Sequence, residues 1–213
     1  MAKRKTEKKA KSFSTTKQKS GGLKEHQSVP HSFDYDLLVI GSGPGGHRAA
    51  IQAAKLGKRV ALAEKNAMVG GVCVHTGTIP SKTLREAALH LTGYQERSIY
   101  GASYTVKEDI TMSDLLRRAH YVINHEQDVL CHQLRRNNID IIAGEAQFLD
   151  PHTLNIGDGS FSASRTITAD NILIATGTKT ARDRKIVFDG EYIFTSDDLL
   201  DIQHLPTSIT VIG

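Results

Sequence analysis

The chain predicts an α/β fold built on a parallel sheet, and three observations carry that prediction. A short apolar strand at 37–40 runs into the glycine-rich turn GSGPGG and then into a helix reaching about Leu56. After Gly57, where a helix stops, a second short apolar stretch, RVALAE at 59–64, follows. Both stretches are continuously apolar rather than alternating, as strands covered on both faces are. Two such strands flanking one helix make a βαβ unit.

The later elements follow from periodicity and turn chemistry. Residues 81–92 should be helical, with Pro80 placed to open the helix. The longest helical pattern spans 111 to about 138: Leu115, Leu116, Ala119, Val122, Ile123, Val129, Leu130 and Leu134 recur at spacings of three and four. Thr111 and Asp114 resemble a capping box at its start, and Cys131 falls within it as a small buried side chain. Strand-like runs at 139–143, 153–156, 161–167 and 171–175 then predict a small antiparallel β insertion, with GDGS at 157–160 as a hairpin turn. Asp197 and Asp198 precede LLDI and read as a helix start, where carboxylates suit the dipole. The closing SITVIG, 208–213, reads as the opening of another buried strand, so the expected organisation is a chain truncated at the start of a second nucleotide-binding domain.

Charge divides the chain. Residues 1–33 hold nine Lys/Arg against two Glu, a charge of +7, whereas the remaining 180 residues hold 18 Lys/Arg against 21 Asp/Glu, a charge of −3. The basic tail is rich in Lys, Ser, Thr and Gln and has too little apolar surface to offset the entropy of ordering, so disorder is expected there. It lacks the apolar segment of a secretory signal and the Arg-rich amphipathic face of a transit peptide. A solubilising extension is the simpler reading and a nucleic-acid arm the rival one. The expected division is a tail over 1–33, a nucleotide-binding domain over 34–205 and the start of another over 206–213. No apolar run approaches the roughly 18 residues of a membrane span. Cys73 and Cys131 form no staple pattern, which points to a reducing, cytoplasmic setting without membrane association.

Gly41, Gly43 and Gly46 fit G-x-G-x-x-G between a strand and a helix, the pattern of a Rossmann-like dinucleotide site. The first glycine permits the tight turn, the second lets backbone approach a pyrophosphate, and the third lets helix and strand pack closely. Glu64 stands 18 residues beyond Gly46 at the end of the second strand, where a carboxylate can accept ribose hydroxyl hydrogen bonds. A carboxylate there repels a 2′-phosphate, so the site suits FAD or NAD rather than NADP, and the motif does not separate those two. No metal site is expected: His125, Cys131 and His132 do not share a helix face, and neither H-E-x-x-H nor C-x-x-C occurs. Ser81 lacks the G-x-S-x-G context of a nucleophile.

In order along the chain stand GSGPGG, AEKNAMVGGVCVHTGTIPSK, GEAQFLDPHTL and ITADNILIATG. This set resembles the flavin-dependent disulfide reductase superfamily from about Pro30 to the last residue. PHSFDYD followed by C-x-H-x-G-T-I-P-S-K is most similar to the soluble pyridine nucleotide transhydrogenases within it, which keep the first cysteine position and lack the second.

The resemblance implies an FAD-binding domain with Gly41, Gly43 and Gly46 at the pyrophosphate and Glu64 at the adenosine ribose. The segment from Glu64 to Cys73, with Lys65, Gly71, Val72 and Cys73 in it, would line the cofactor, as would Thr78. Lys82 would lie beside the flavin ring, and Ala146 would present its backbone to the adenine. Ala175, Thr176 and Gly177 would pack near the cofactor as the chain leaves the domain. The implied activity is Si-specific hydride transfer between NADPH and NAD, with NAD and NADP(H) as substrates and a homo-oligomer as the assembled form. A dihydrolipoyl-dehydrogenase-like or mercuric-reductase-like flavoprotein is the rival within the class, and a non-catalytic FAD-binding fragment the rival outside it.

Thr78 decides against a dithiol relay, because an alcohol forms no disulfide. Lys82 and Cys73 are the residues carried forward as catalytic. The ammonium of Lys82 would stabilise negative charge where water is excluded, against the alternative of an exposed first-turn lysine. Cys73 reads more simply as an inert thiol, and His75 equally well as a cofactor contact or a structural hydrogen bonder.

Overall fold

The computed structural model describes residues 32–157 and 164–212. A six-stranded sheet in the order β3-β2-β1-β6-β5-β4 organises them. Its strands are β1 (Tyr35–Ile40), β2 (Val60–Glu64), β3 (Asp140–Ala143), β4 (Glu145–Asp150), β5 (Thr153–Gly157) and β6 (Arg165–Ile174). The helices are α1 (Pro44–Lys55), α2 (Gly71–His75), α3 (Thr78–Thr92), α4 (Arg97–Tyr100) and α5 (Met112–Arg136), with a 3-10 turn at Ser196–Leu200. Strands β3, β2, β1 and β6 run parallel, while β4–β5 and β5–β6 pair antiparallel. The predicted α/β class, parallel sheet and antiparallel insertion are therefore all present.

Alternate residues of the central strands face opposite sides, as a two-residue period requires. Leu37, Val39, Val60 and Leu62 pack with Ala50 of α1 and with Ile123, Leu130 and Leu134 of α5. Leu38, Ala61 and Ala63 pack on the other face against Leu154, Ile156, Ile167 and Ala169 of β5 and β6. Every residue of β2 is buried, in keeping with its unbroken apolar sequence. Helix α5 begins with the capping box read from the sequence: Asp114 N–H reaches Thr111 Oγ1 at 3.3 Å, and Thr111 N–H reaches Asp114 Oδ2 at 2.9 Å. Thr195 and Asp198 form another at the 3-10 turn, where the sequence places a helix start.

Several expectations are corrected. The separate runs expected at 161–167 and 171–175 are joined, over 165–167 and 171–174, in one ten-residue strand, β6, whose first half pairs with β5 and whose second half pairs with β1. Asp170 and Asn171 have turn chemistry, but the parallel ladder to β1, running from Ala169 to Ile174, overrides it. At the changeover Thr168 donates N–H and Oγ1–H to Asp34 Oδ2, each at 2.9 Å.

Helix α3 opens at Thr78 rather than Ser81. Pro80 occupies its third position, where a missing N–H costs no intrahelical bond, and the ladder is already under way at Ser81 N–H to Gly77 O, 3.0 Å. Strand β4 has no readable alternation because it is an edge strand exposed along most of its length. SITVIG is not a strand over its described residues: Ile209, Val211 and Ile212 are exposed, and no described strand lies beside them to supply ladder hydrogen bonds. Phe33, placed with the tail by composition, stacks on His152 at 5.1 Å and accepts a 3.0 Å hydrogen bond from Arg59 on its carbonyl. The expected disorder of the rest of the tail and the GDGS turn concern residues outside those described. No described helix is long and apolar enough to cross a membrane.

Leu134 is fully buried where α5 meets the sheet. Leu134→Ala should lower stability by about 2–5 kcal/mol, read as a fall in the urea midpoint with an unchanged slope.

Candidate dinucleotide site

Four parallel strands end at one edge of the sheet, at Ile40, Glu64, Ala143 and Ile174. Backbone bonds hold the chains leaving that edge together: Gly41 N–H to Ala63 O at 2.8 Å, Gly144 N–H to Glu64 O at 2.9 Å, and Ala175 N–H to Ile40 O at 2.8 Å. The chain passes from β1 through α1 to β2 on one side, whereas β6 lies on the other. The strand order thus switches direction at β1/β6, which is where open α/β sheets bind ligands.

The three motif glycines meet three different constraints. Gly41 has φ +100°, and a Cβ there would run into the Ala175 carbonyl. A Cβ on Gly46 would fall on the Gly41 carbonyl oxygen and press on Val39 Cγ1. A Cβ on Gly43 would meet nothing within 4 Å, so this residue keeps open the face where a ligand approaches. Gly43 is also the N-cap of α1 and no side chain caps the helix, with Pro44 behind it. The first-turn N–H groups and the positive end of the dipole are therefore available to an anion. Gly71, at φ +63°, closes the other side: a Cβ there would lie 2.9 Å from Gly43 Cα.

Glu64 lies beneath this turn and is 6% exposed. Its Oε2 accepts Ser42 N–H at 2.9 Å and Ser42 Oγ–H at 2.5 Å, and its Oε1 accepts Asn66 N–H at 3.0 Å. Burial alone would raise the carboxyl pKa, but the bonds from Ser42 and Asn66 outweigh it and hold the group below its ordinary value. Glu64 is thus a fixed anion at the strand end. Ser42 Oγ also accepts the Gly70 N–H at 2.9 Å, and His47 Nδ1–H donates to the Ser42 carbonyl at 3.2 Å.

Gly41, Gly43, Gly46, Glu64, Gly71 and Ala175 are brought together by these contacts, with Thr176 Cα beside Gly41 and Gly177 exposed just beyond. Ala146 enters from β4 and packs into the cluster containing Ala63 and, at its margin, Ile40. Lys65 and Val72 are exposed, and Cys73 is half-buried within α2 as a free thiol. His75 Nε2–H donates to Val69 O at 2.8 Å, which answers its sequence ambiguity with a structural bond, while its Nδ1 is buried without a partner.

Thr78 and Lys82 line a groove between α3 and α5 with Ile79, Thr83, Glu86, Arg118 and Val122. Because α3 starts at Thr78, Lys82 falls in the second turn rather than the first, where the dipole opposes a cation less. Sequence reasoning missed Ser42, which occupies a variable position of the glycine motif and so carries no pattern of its own, whereas Asn66 and Gly70 fall within the segment 64–73 expected to line the cofactor. No cluster suited to a metal ion occurs among the described residues.

Residues 35–213 match the model of the pyridine nucleotide-disulphide oxidoreductase family. The chain is 54% identical over 180 residues to a soluble pyridine nucleotide transhydrogenase of Mycobacterium bovis, covering 84% of this chain and 38% of that protein. It is 38% identical over 182 residues to the soluble pyridine nucleotide transhydrogenase of Colwellia psychrerythraea, covering 85% and 39%. Among solved structures it is similar to the HOCl-induced flavoprotein disulfide reductase RclA from Escherichia coli, at 30% identity and a TM-score of 0.65, covering 81% of this chain and 35% of that one. The chain spans well under half the length of these relatives.

Two glycine substitutions separate packing from ligand access. In the ligand-free chain Gly46→Ala should cost about 1–3 kcal/mol by overpacking, whereas Gly43→Ala should stay within about 0.5 kcal/mol, both read by thermal unfolding. Glu64 gives a signed pH dependence. Its folded pKa is depressed, so its stabilising contribution is complete above the ordinary glutamate range and is lost as pH falls through the lower folded value. Glu64→Gln should flatten that acid-side slope in unfolding experiments.

Proposed function

This chain belongs to the pyridine nucleotide-disulphide oxidoreductase family, and on that premise we propose that its strand-end site binds FAD in a protein that transfers hydride from NADPH to NAD⁺. The site's own chemistry fits the dinucleotide. Gly43 leaves its face open, the uncapped start of α1 suits a pyrophosphate, and Glu64 is an oriented anion suited to ribose hydroxyls and hostile to a 2′-phosphate.

Thr78 is the observation that carries the reaction type. Cys73 has no second sulfur in its own loop, so a disulfide relay is disfavoured there. Hydride passage between two nicotinamides by way of a flavin needs no second sulfur and fits this departure, as do the relatives named as transhydrogenases. Bound FAD would supply the two-electron chemistry, accepting hydride from one nicotinamide and returning it to another.

The protein's part is to hold, orient and polarise. Gly41, Gly43 and Gly46 would hold the pyrophosphate, and Glu64 the adenosine ribose. Lys65, Gly71, Val72, Cys73 and Thr78 would form the wall, Ala146 would face the adenine, and Ala175, Thr176 and Gly177 would flank the exit strand. Lys82 makes no ion pair among the described residues and would place its cation where negative charge develops. The domain assignment proposed with this is 34–205 for FAD and 206–213 for the beginning of an NAD(P)-binding domain, after a basic tail over 1–33. A Si-specific transfer, a homo-oligomer and a cytoplasmic location belong to the same proposal.

The purified complete protein that contains this segment should carry flavin absorbance and transfer hydride from NADPH to a thio-analogue of NAD⁺ at the same rate before and after thiol blocking, whereas the segment alone should be inactive. Flavin without that transfer, or transfer abolished by thiol blocking, would replace this reaction with a disulfide substrate or another acceptor. Gly43→Ala should weaken FAD binding about tenfold, the scale of one charge-assisted hydrogen bond, without altering the apo-protein's unfolding midpoint.

A further inference from the structure

We propose that Ser42 is a positioning residue that fixes how Glu64 meets the adenosine ribose, an inference that rests on the FAD reading above. Ser42 is 1% exposed and all of its polar atoms are engaged. Its hydroxyl donates to Glu64 Oε2 at 2.5 Å and accepts from Gly70 N–H at 2.9 Å. Its N–H donates to the same Oε2 at 2.9 Å, and its carbonyl accepts from His47 Nδ1–H at 3.2 Å. One hydroxyl thereby joins the glycine turn, the end of β2 and the loop entering α2.

The two carboxylate oxygens of Glu64 face different surroundings. Oε2 is pinned toward the interior by Ser42, whereas Oε1 lies at the N–H of Asn66, an exposed residue. Two donors on Oε2 against one backbone donor on Oε1 fix the orientation of the carboxylate and leave Oε1 the oxygen with more free lone-pair capacity for a ribose hydroxyl. Alanine at 42 would keep the backbone donors on the two oxygens but remove the hydroxyl bond, loosening that orientation, and would leave the buried Gly70 N–H without its acceptor. The motif G-x-G-x-x-G places no demand on this position, so the turn itself does not require the hydroxyl. Ser42 acts through Glu64 and through the placement of Gly70, next to the Gly71 that closes on Gly43.

The test compares dissociation constants of the full chain for FAD and for its 2′-deoxyadenosine form. The wild-type protein should bind the deoxy form about tenfold more weakly, the scale of a hydrogen bond to a charged group. In Ser42→Ala that ratio should shrink to about twofold, and in a Glu64→Gln background Ser42→Ala should not shift it further. A ratio still near tenfold in Ser42→Ala would overturn the inference and leave the FAD reading standing. A wild-type chain that binds both forms equally, or neither, would overturn the ribose contact and the inference with it. Should Ser42→Ala fail to fold, Ser42→Cys, whose thiol is a weak donor and acceptor, is read by the same ratio.

Discussion

The close approach of α1 to β1 is the constraint on which the site depends. The Gly41 carbonyl occupies the space a side chain at position 46 would need, and Val39 stands just behind it. Only a residue without Cβ lets the helix start this near the strand it follows. That contact seats the start of α1 at the sheet's carboxyl edge, and Gly43, an N-cap without a side chain, leaves its first turn uncapped. Gly41 meets a matching demand from the other strand: its φ of +100° turns the chain away while the Ala175 carbonyl closes on it. Two missing side chains thus bring β1, β6 and α1 to one point, and a third, at Gly43, leaves that point accessible.

Electrostatics complete what packing begins. A buried carboxylate is costly unless hydrogen bonds replace the water it loses. Glu64 receives them from backbone and hydroxyl donors of the two adjoining loops, not from a cation. Its charge is therefore not cancelled within the fold, and the field near the strand end stays negative on the ribose side while the helix start is positive on the phosphate side. A dinucleotide with free ribose hydroxyls matches that polarity. A 2′-phosphate conflicts with it.

Legibility in the sequence followed the physics of each element. The βαβ unit was readable because Val60 to Ala63 and Leu37 to Val39 are continuously apolar and the glycines between them have steric roles that composition reveals. The capping box at Thr111 was readable because its chemistry is local. Strand β6 reads as two because Asp170 and Asn171 favour turns, and their override comes from β1, remote in sequence. The start of α3 was misplaced because Pro80 is tolerated anywhere in a first turn. Within the site, Gly41, Gly43, Gly46 and Glu64 were legible as a pattern. Ser42 was not, since its importance lies in a hydroxyl bridging two segments 22 and 28 residues away.

The same accounting explains how the GGVC loop holds its shape with one sulfur. Cys73 is a free thiol within α2, and no cross-link closes the loop. Gly70 N–H is tied to Ser42, His75 is tied to the Val69 carbonyl, and the N–H groups of Thr76 and Gly77 both reach the Val72 carbonyl, at 3.1 and 2.6 Å. Gly71 rests against Gly43. Each of these contacts would persist with any side chain at position 78 that allows α3 to begin there. A second cysteine would add chemistry to the loop but is not needed for its conformation. Thr78 supplies no second sulfur, and the contacts that shape the loop do not call for one.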